Sequence, residues 1–178
     1  MCVITVKKAG ADLPKKNILK QAAVYNPHGF GFCTPTKTYK TLSFNKFENK
    51  LKTVKKDEPC IIHLRYATKG SVKLANCHPF KENKIKFAHN GHLNIETQND
   101  MTDSETFFKG NLMKIIDKHG YNSDNLEKFI YEKGGYSKFA LMKGKNIRMF
   151  GNYENFEGCY YSNLRFINNY YYNQLINK

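Results

Sequence analysis

The arrangement of strand-like segments constrains the fold of this chain more than any other sequence feature. Two such segments flank His89-Asn90-Gly91-His92, and Asn-Gly between apolar runs is a strong hairpin signal. Two more flank Gly144-Lys145. Strands joined by short turns pair in antiparallel fashion, whereas regular β-α-β units would indicate a parallel sheet. The sequence therefore predicts an α+β fold built on antiparallel sheet.

Hydroxyl side chains mark the start of three predicted helices. Ser43, Thr102 and Ser123 each precede an amphipathic segment and can accept a hydrogen bond from its first turn. Glu105 completes the capping-box pattern T-x-x-E with Thr102. Apolar side chains at helical spacing predict a further helix at residues 17–25.

The predicted strands are short and apolar. In the segment 28–32, glycine alternates with aromatic residues, which indicates that another stretch of backbone passes close to this strand. Residues 68–80 show no periodicity and are expected to form a long polar loop. Strands are expected at residues 3–8, 28–32, 60–66, 85–88, 93–95, 137–142, 146–150 and 159–166.

Length and composition indicate one soluble intracellular domain. The 178 residues suit a single domain spanning 1–178, and no linker or repeat divides them. No apolar run approaches the roughly 20 residues needed to span a bilayer, and the N-terminus lacks a secretory pattern. Five cysteines without regular spacing are typical of reduced thiols. The expected location is the cytoplasm, with no membrane partner.

The net charge of +14 raises the alternative of a nucleic-acid-binding protein without catalysis. Nearly all of this charge is lysine spread along the chain, and the only arginines are Arg65, Arg148 and Arg165. No nucleic-acid-binding motif is visible. Solvated surface lysines are therefore the favoured interpretation, and nucleic acid stays open as a partner.

Met1-Cys2 at the start of the chain offers a different chemistry. Removal of Met1 would leave Cys2 with both a thiol and a free α-amine. An α-amine has an ordinary pKa of about 7.7–8.0, so it can act as a base near neutral pH. A nucleophile activated by its own terminal amine is a known scheme among hydrolases. On the dipeptide alone, the start of a buried strand remains the simpler interpretation.

Four further segments follow Cys2 in a fixed order. They are His63-Leu64-Arg65-Tyr66-Ala67-Thr68-Lys69-Gly70, Asn76-Cys77-His78-Pro79-Phe80, His89-Asn90-Gly91 and Asp103-Ser104-Glu105. This ordered set resembles the class II glutamine amidotransferases, whose N-terminal-nucleophile glutaminase domain carries H-x-R-[WY]-[AS]-T-x-G, N-x-H-P, H-N-G and S-D-[TS]-E stretches. The resemblance implies an αββα sandwich of two mainly antiparallel sheets flanked by helices.

The resemblance also implies an enzyme with a catalytic group formed by Cys2, Asn90 and Gly91. Cys2 would attack the side-chain amide of glutamine, form a thioester and release ammonia. The Asn90 amide and the Gly91 N–H would form the oxyanion hole. No cofactor and no metal are implied. Because the chain stops near the end of the glutaminase domain, ammonia is expected to pass to a separate synthase protein.

Three residues are implied in substrate binding. Arg65 would hold the substrate α-carboxylate, for which a planar two-pronged donor suits better than lysine. Thr68 would bind near the same carboxylate, and Asp103 would accept from the α-ammonium group. In the sequence alone, Asp103 also fits a purely structural role in the first turn of a helix. The chain departs from the family at Lys69, where many members have histidine.

Two alternatives concern chemistry. The same fold could hydrolyse another γ-glutamyl or amide substrate. A zinc site is the other alternative, since His89 and His92 flank a two-residue turn and could converge with Cys77 or His78.

Overall fold

The computed structural model describes residues 2–68, 70–97 and 101–167, which form two stacked antiparallel sheets with helices on both outer faces. One sheet has six strands in the order β3-β2-β4-β1-β10-β9, and the other has four in the order β5-β6-β7-β8. The predicted α+β fold and αββα sandwich are confirmed. The strands are β1 (Val3–Lys7), β2 (Phe30–Cys33), β3 (Thr38–Thr41), β4 (Cys60–Leu64), β5 (Phe80–Glu82), β6 (Ile85–Asn90), β7 (Lys138–Lys143), β8 (Asn146–Phe150), β9 (Glu154–Phe156) and β10 (Cys159–Tyr161).

Two helices cover the six-stranded sheet and the others cover the four-stranded sheet. The second group begins with a continuous helical segment that includes a π-helical stretch, Phe107–Leu112. Among the described residues, no helix is long and apolar enough to cross a membrane. The α-helices are α1 (Lys16–Tyr25), α2 (Phe44–Leu51), α3 (Asp103–Thr106), α4 (Met113–His119) and α5 (Asp124–Gly134).

Three apolar cores hold the four layers together. Successive side chains of a strand point to opposite faces, so a strand in the middle of the sandwich is buried on both sides. In β1, Val3 packs towards the helices while Ile4 and Val6 pack against the second sheet. This position explains why the sequence of β1 is an almost unbroken apolar run. Ala88 of β6 and Ala140 of β7 face β1 across the middle core.

The predicted helix starts are confirmed by their hydrogen bonds. Ser43 Oγ accepts from the Lys46 N–H, and Ser123 Oγ accepts from the Leu126 N–H. Thr102 Oγ1 accepts from the N–H three residues later at 3.2 Å. The hydrogen bond to Thr102 fixes the start of α3, the helix that carries the predicted substrate-binding residue Asp103.

The hairpin predicted around Asn90-Gly91 is wrong. Strand β6 runs through Asn90 and pairs with β5 on one edge and β7 on the other, and residues 93–95 form no strand. With both edges occupied, the chain after β6 cannot fold back as its partner. Gly91 has a φ of 155°, and a Cβ there would lie 2.3 Å from Ser137 Oγ. The Asn90-Gly91 turn signal therefore coincides with the end of a central strand, β6.

Other strand boundaries also differ from the prediction. The strand expected at 159–166 ends at Tyr161, and the short strands β3 and β9 were not predicted. The loop expected at 68–80 contains a 3₁₀ turn, Leu74–Asn76. Residues 168–178, whose structure was not predicted, lie outside the described residues.

The close approach predicted for residues 28–32 is confirmed at Gly31. A Cβ on Gly31 would lie 2.0 Å from the backbone oxygen of His78. Any side chain at Gly31 would push the segment around His78 off the sheet. This contact places the predicted N-x-H-P segment beside the middle strands.

Lys86 joins the two sheets through buried hydrogen bonds. It lies in β6, and its ammonium group donates to the Thr34 and Pro35 carbonyl oxygens that follow β2 in the other sheet. We expect Lys86→Met to lower the free energy of unfolding by about 2–4 kcal/mol, because hydrogen bonds to a charged group are lost and buried carbonyls stay unpaired. Urea unfolding would measure this. Lys84→Met, at an exposed position in the β5–β6 turn, is the matched control; an equal loss in both variants would contradict the prediction.

Candidate functional site

The register of the six-stranded sheet determines which residues surround Cys2. Val3 of β1 pairs with Leu64 of β4, so Arg65 and Tyr66, which follow β4, lie beside Cys2. The backbone N–H of Tyr66 donates to Cys2 Sγ at 3.4 Å. The thiol therefore lies just before the start of β1, where it contacts the segment that carries the predicted H-x-R-[WY] motif.

A small cleft of about 40 Å³ opens above Cys2. Four of the predicted site residues line it together, namely Cys2, Arg65, Thr68 and Gly91. The two sheets contribute to it jointly, because Arg65 follows β4 and Gly91 follows β6. The other lining residues are Tyr66, Ala67, Asn76, His78, His89, Thr102 and Ser104.

Arg65 is buried and oriented by the loop that follows it. Its guanidinium group donates to the Ser71 carbonyl oxygen at 3.1 Å and to the Gly70 carbonyl oxygen at 3.4 Å. A guanidinium group has five N–H donors in a planar fork, so these two bonds also fix the direction of the others. The arrangement provides a rigid positive charge at the wall of the cleft.

Asp103 lies on the wall of a second pocket that adjoins the Cys2 cleft. The two cavities share Asn76 and Thr102, and the second has a volume of about 250 Å³. Asp103 accepts from the Leu93 and Ser104 backbone N–H groups at 3.2 and 2.7 Å. The structure thus gives Asp103 a role in local folding and, at the same time, places its carboxylate at a pocket wall.

Asn90 is not among the residues that line the cleft, although its neighbours His89 and Gly91 are. Its side chain is buried, and its Nδ2 lies 2.8 Å from Ser162 Oγ. Its Oδ1 is buried without a hydrogen-bond partner among the described residues. Of the predicted residues, Asn90 and Asp103 are therefore the two that do not line the small cleft.

The Cys2 thiol is in a setting that favours its neutral form. Burial raises the pKa of the Cys2 thiol, and the hydrogen bond from Tyr66 and the charge of Arg65 offset this only in part. A thiol is a weak nucleophile compared with a thiolate. To act as a nucleophile, Cys2 would therefore need a nearby base that takes its proton.

Three buried histidines lie beside the site. The rings of His63 and His78 are 4.2 Å apart, and His63 Nε2–H donates to the His89 carbonyl oxygen at 3.1 Å. Burial lowers the pKa of His63 to about 3 and that of His89 to about 4, and it lowers the pKa of His78 as well. All three rings are neutral at physiological pH.

The geometry gives no support to the zinc alternative. His89 is buried, whereas the side chain of His92 is 60% exposed and lies 3.9 Å from the Asp103 carboxylate. Within residues 2–68, 70–97 and 101–167, no group of three or more His, Cys, Asp or Glu side chains is placed to hold a metal ion.

We expect the buried histidines to make stability depend on pH. In the unfolded chain each takes up a proton below its ordinary pKa of 6.5, whereas folded His89 resists protonation until about pH 4. Stability is therefore complete above pH 6.5 and is lost as the pH falls, at about 1.4 kcal/mol per pH unit for each such histidine. Urea unfolding between pH 7 and pH 5 measures the slope. His78→Phe should reduce the slope, because burial lowers the pKa of His78 and the variant removes that group; an unaltered slope in His78→Phe would contradict this assignment.

The sequence motifs indicated no catalytic or substrate-binding role for several residues that lie near Cys2. His78 and His89 belong to the predicted segments, so the motifs marked their position without indicating that they line the cleft. Ser162 and Asn163 follow β10, and Asn163 Nδ2 donates to the Cys2 carbonyl oxygen at 2.9 Å. No local pattern distinguishes these two from other polar residues. Only the pairing of β1 with β10 reveals them.

A family model described as class II glutamine amidotransferases matches residues 48–135 of the chain. This range contains all four ordered segments, at residues 63–70, 76–80, 89–91 and 103–105. Residues 48–135 are therefore similar to the class II glutamine amidotransferases. The family predicted from the ordered segments is confirmed.

A solved structure shares the fold of this chain. Glutamine phosphoribosylpyrophosphate amidotransferase from B. subtilis, in complex with ADP and GMP, superposes with a TM-score of 0.53 at 18% sequence identity. The match covers 90% of this chain but 41% of that enzyme, so the chain spans less than half of its length. At this identity the likeness shows a shared fold. A sequence search of curated proteins found no match.

Proposed function

We propose that this amidotransferase domain hydrolyses the side-chain amide of glutamine with Cys2 as the nucleophile. The observation that carries the proposal is the cleft that Cys2 shares with Arg65, Thr68 and Gly91. These residues come from three separate stretches of sequence, and each belongs to a segment of the family pattern. Pairing of β1 with β4 brings two of the stretches together, as described above.

The reaction needs a base at the thiol, and the α-amine of Cys2 supplies it after Met1 is removed. The amine takes the thiol proton as sulfur bonds to the side-chain carbonyl carbon of glutamine. It then gives the proton to the leaving nitrogen, which departs as ammonia and leaves a thioester. Water adds to the thioester, its hydroxyl group stays on the carbon as the carboxyl group of glutamate, and its proton restores the thiol.

Two adjoining cavities suit the two ends of glutamine. The cleft of about 40 Å³ at Cys2 is narrow, as a planar side-chain amide requires. The pocket of about 250 Å³ beside it has Asp103 and Lys73 among its lining residues. Opposite charges on one pocket complement the ammonium and carboxylate groups of a free amino acid. Arg65 lies where the two cavities meet, next to Gly70 of the larger one.

The ammonia acceptor is proposed to be a synthase that lies outside these residues. In this proposal, the released ammonia leaves for an acceptor on another protein or domain.

A labelling experiment tests the proposal. Protein with verified loss of Met1 is incubated with glutamine, and glutamate and ammonia are measured; 6-diazo-5-oxo-norleucine is then added and the adduct is located by peptide mass. We expect glutamate and ammonia in equal amounts and the adduct at Cys2 alone, with excess glutamine protecting it. Faster turnover of other γ-glutamyl amides than of glutamine would identify those amides as the substrate class. An adduct at Cys77 instead of Cys2 would overturn the mechanism.

A further inference from the structure

Ser162 is the hydrogen-bonding centre between the nucleophile strand and Asn90. It follows β10 and is buried. Its Oγ accepts from the Ile4 backbone N–H at 2.9 Å, and its own N–H donates to the Ile4 carbonyl oxygen at 2.9 Å. The same Oγ lies 2.8 Å from Asn90 Nδ2 in the other sheet. One hydroxyl group therefore connects β1, β10 and the end of β6.

The two orientations of the Asn90 amide leave different groups without a hydrogen-bond partner among the described residues. With Nδ2 towards Ser162, the hydroxyl oxygen accepts from both Ile4 and Asn90, and its hydrogen finds no acceptor among the described residues. Asn90 Oδ1 is also left buried and unpaired. The oxygen and nitrogen of an amide have nearly the same shape, and their assignment follows from the hydrogen-bond network.

Exchanging the two amide atoms satisfies the acceptors. The Ser162 hydroxyl then donates to Asn90 Oδ1 while its oxygen still accepts from the Ile4 N–H. The amide NH₂ group takes the buried position that has no partner in the described part of the protein. A buried, unpaired donor is costly in the resting protein. It becomes favourable when a negatively charged oxygen forms next to it.

We propose that Ser162 is a positioning residue that holds the Asn90 amide with its NH₂ group towards the reacting carbonyl oxygen. The inference rests on the proposed function, since it assigns Asn90 to the oxyanion hole. Ser162 is suited to this role because it is tied to Ile4, two residues from Cys2. Its neighbour Asn163 binds the Cys2 carbonyl oxygen at 2.9 Å. The nucleophile and the oxyanion donor are thus both aligned on one dipeptide, Ser162-Asn163.

Kinetics of Ser162→Ala test this role. We expect kcat for glutamine to fall about 10- to 100-fold with KM unchanged, less than the loss of the donor itself. Inhibition by the aldehyde analogue of glutamine, which forms an oxyanion on Cys2, should weaken by the same factor, while inhibition by glutamate stays constant. Ser162→Thr keeps the hydroxyl and should recover most of kcat. Ser123→Ala, which removes the hydroxyl that caps α5 far from the cleft, controls for a loss of folding stability.

A measurement without turnover separates this inference from the proposed function. The Asn90 side-chain amide is followed by ¹⁵N relaxation in the wild type and in Ser162→Ala. We expect a rigid NH₂ group in the wild type and a mobile one in the variant, whether or not glutamine is hydrolysed. An equally rigid NH₂ group in both proteins, or a raised KM with unchanged kcat, would overturn the role of Ser162. If the wild type does not hydrolyse glutamine although Ser162 holds the Asn90 amide rigid, the proposed function alone is overturned.

Discussion

Replacing Cys2 by alanine is expected to abolish glutamine hydrolysis. The sulfur that forms the thioester is gone, and the α-amine alone cannot take its place. Loss of a nucleophile lowers kcat by a factor on the order of 10⁴ to 10⁶. Glutamate release from protein with Met1 removed measures the effect. The variant should fold as the wild type does, because Cys2 precedes β1 and its side chain is only partly buried.

Cys2→Ser is the matched variant for this prediction. A hydroxyl keeps the hydrogen bond to the Tyr66 N–H, so the geometry around position 2 is preserved. It is a poorer nucleophile than a thiol, so activity should be far below that of the wild type. Full activity in either variant would show that the reaction takes place elsewhere.

The terminal amine can be tested without touching the thiol. Inserting an alanine between Met1 and Cys2 leaves an Ala-Cys start after methionine removal, so the nitrogen of Cys2 becomes an amide. An amide nitrogen cannot act as a base, and burial keeps the thiol in its neutral form. We therefore expect the extended protein to be as inactive as Cys2→Ala. Substantial activity would point to another base near the cleft, with His78 and His89 the first to examine.

Local signals in the sequence predicted the elements whose formation depends on local chemistry. Ser43, Thr102 and Ser123 cap helices because a hydroxyl three residues before an N–H suffices, whatever the rest of the protein does. The long apolar strands were also visible, since each is buried on at least one face. Strands β3 and β9 escaped prediction because they are short and largely exposed edge strands.

The Asn90-Gly91 pair shows where local signals fail. The same dipeptide that makes a tight hairpin also suits a strand end at which no side chain fits against Ser137. The choice between them is made by β5 and β7, which occupy both edges of β6. No window of sequence around residue 90 contains that information.

The residues of the candidate site also fall into two groups: some are indicated by sequence motifs, and others are brought to the site only by strand pairing. Arg65 and Gly91 were indicated by motifs, and the structure places both on the Cys2 cleft. Ser162 and Asn163 lie more than 150 residues from Ile4 and Cys2 in sequence, and they act through the pairing of β10 with β1. Residues of this kind bind backbone groups, so they leave no pattern of residue types that a sequence could reveal.

Removing the side-chain amide of Asn90 is the second change expected to have a large effect. Asn90→Ala should lower kcat about 10²- to 10³-fold with KM unchanged, because losing one oxyanion donor costs about 2.7–4 kcal/mol of barrier stabilisation. The donor acts only when the tetrahedral intermediate forms, so ground-state binding of glutamine is unaffected. Steady-state kinetics with glutamine measure both constants.

Asn90→Asp sharpens this prediction, because aspartate has the shape of asparagine but lacks the NH₂ group. The Ser162 hydroxyl can still donate to the oxygen next to it, so the side chain keeps its place. The other oxygen now lies where a donor is needed, and a negative charge there repels the developing oxyanion. Activity should therefore be no higher than in Asn90→Ala. If Asn90→Asp instead keeps near-wild-type kcat while KM rises, Asn90 contacts the bound substrate rather than the oxyanion, and the oxyanion hole has to be sought around Gly91 alone.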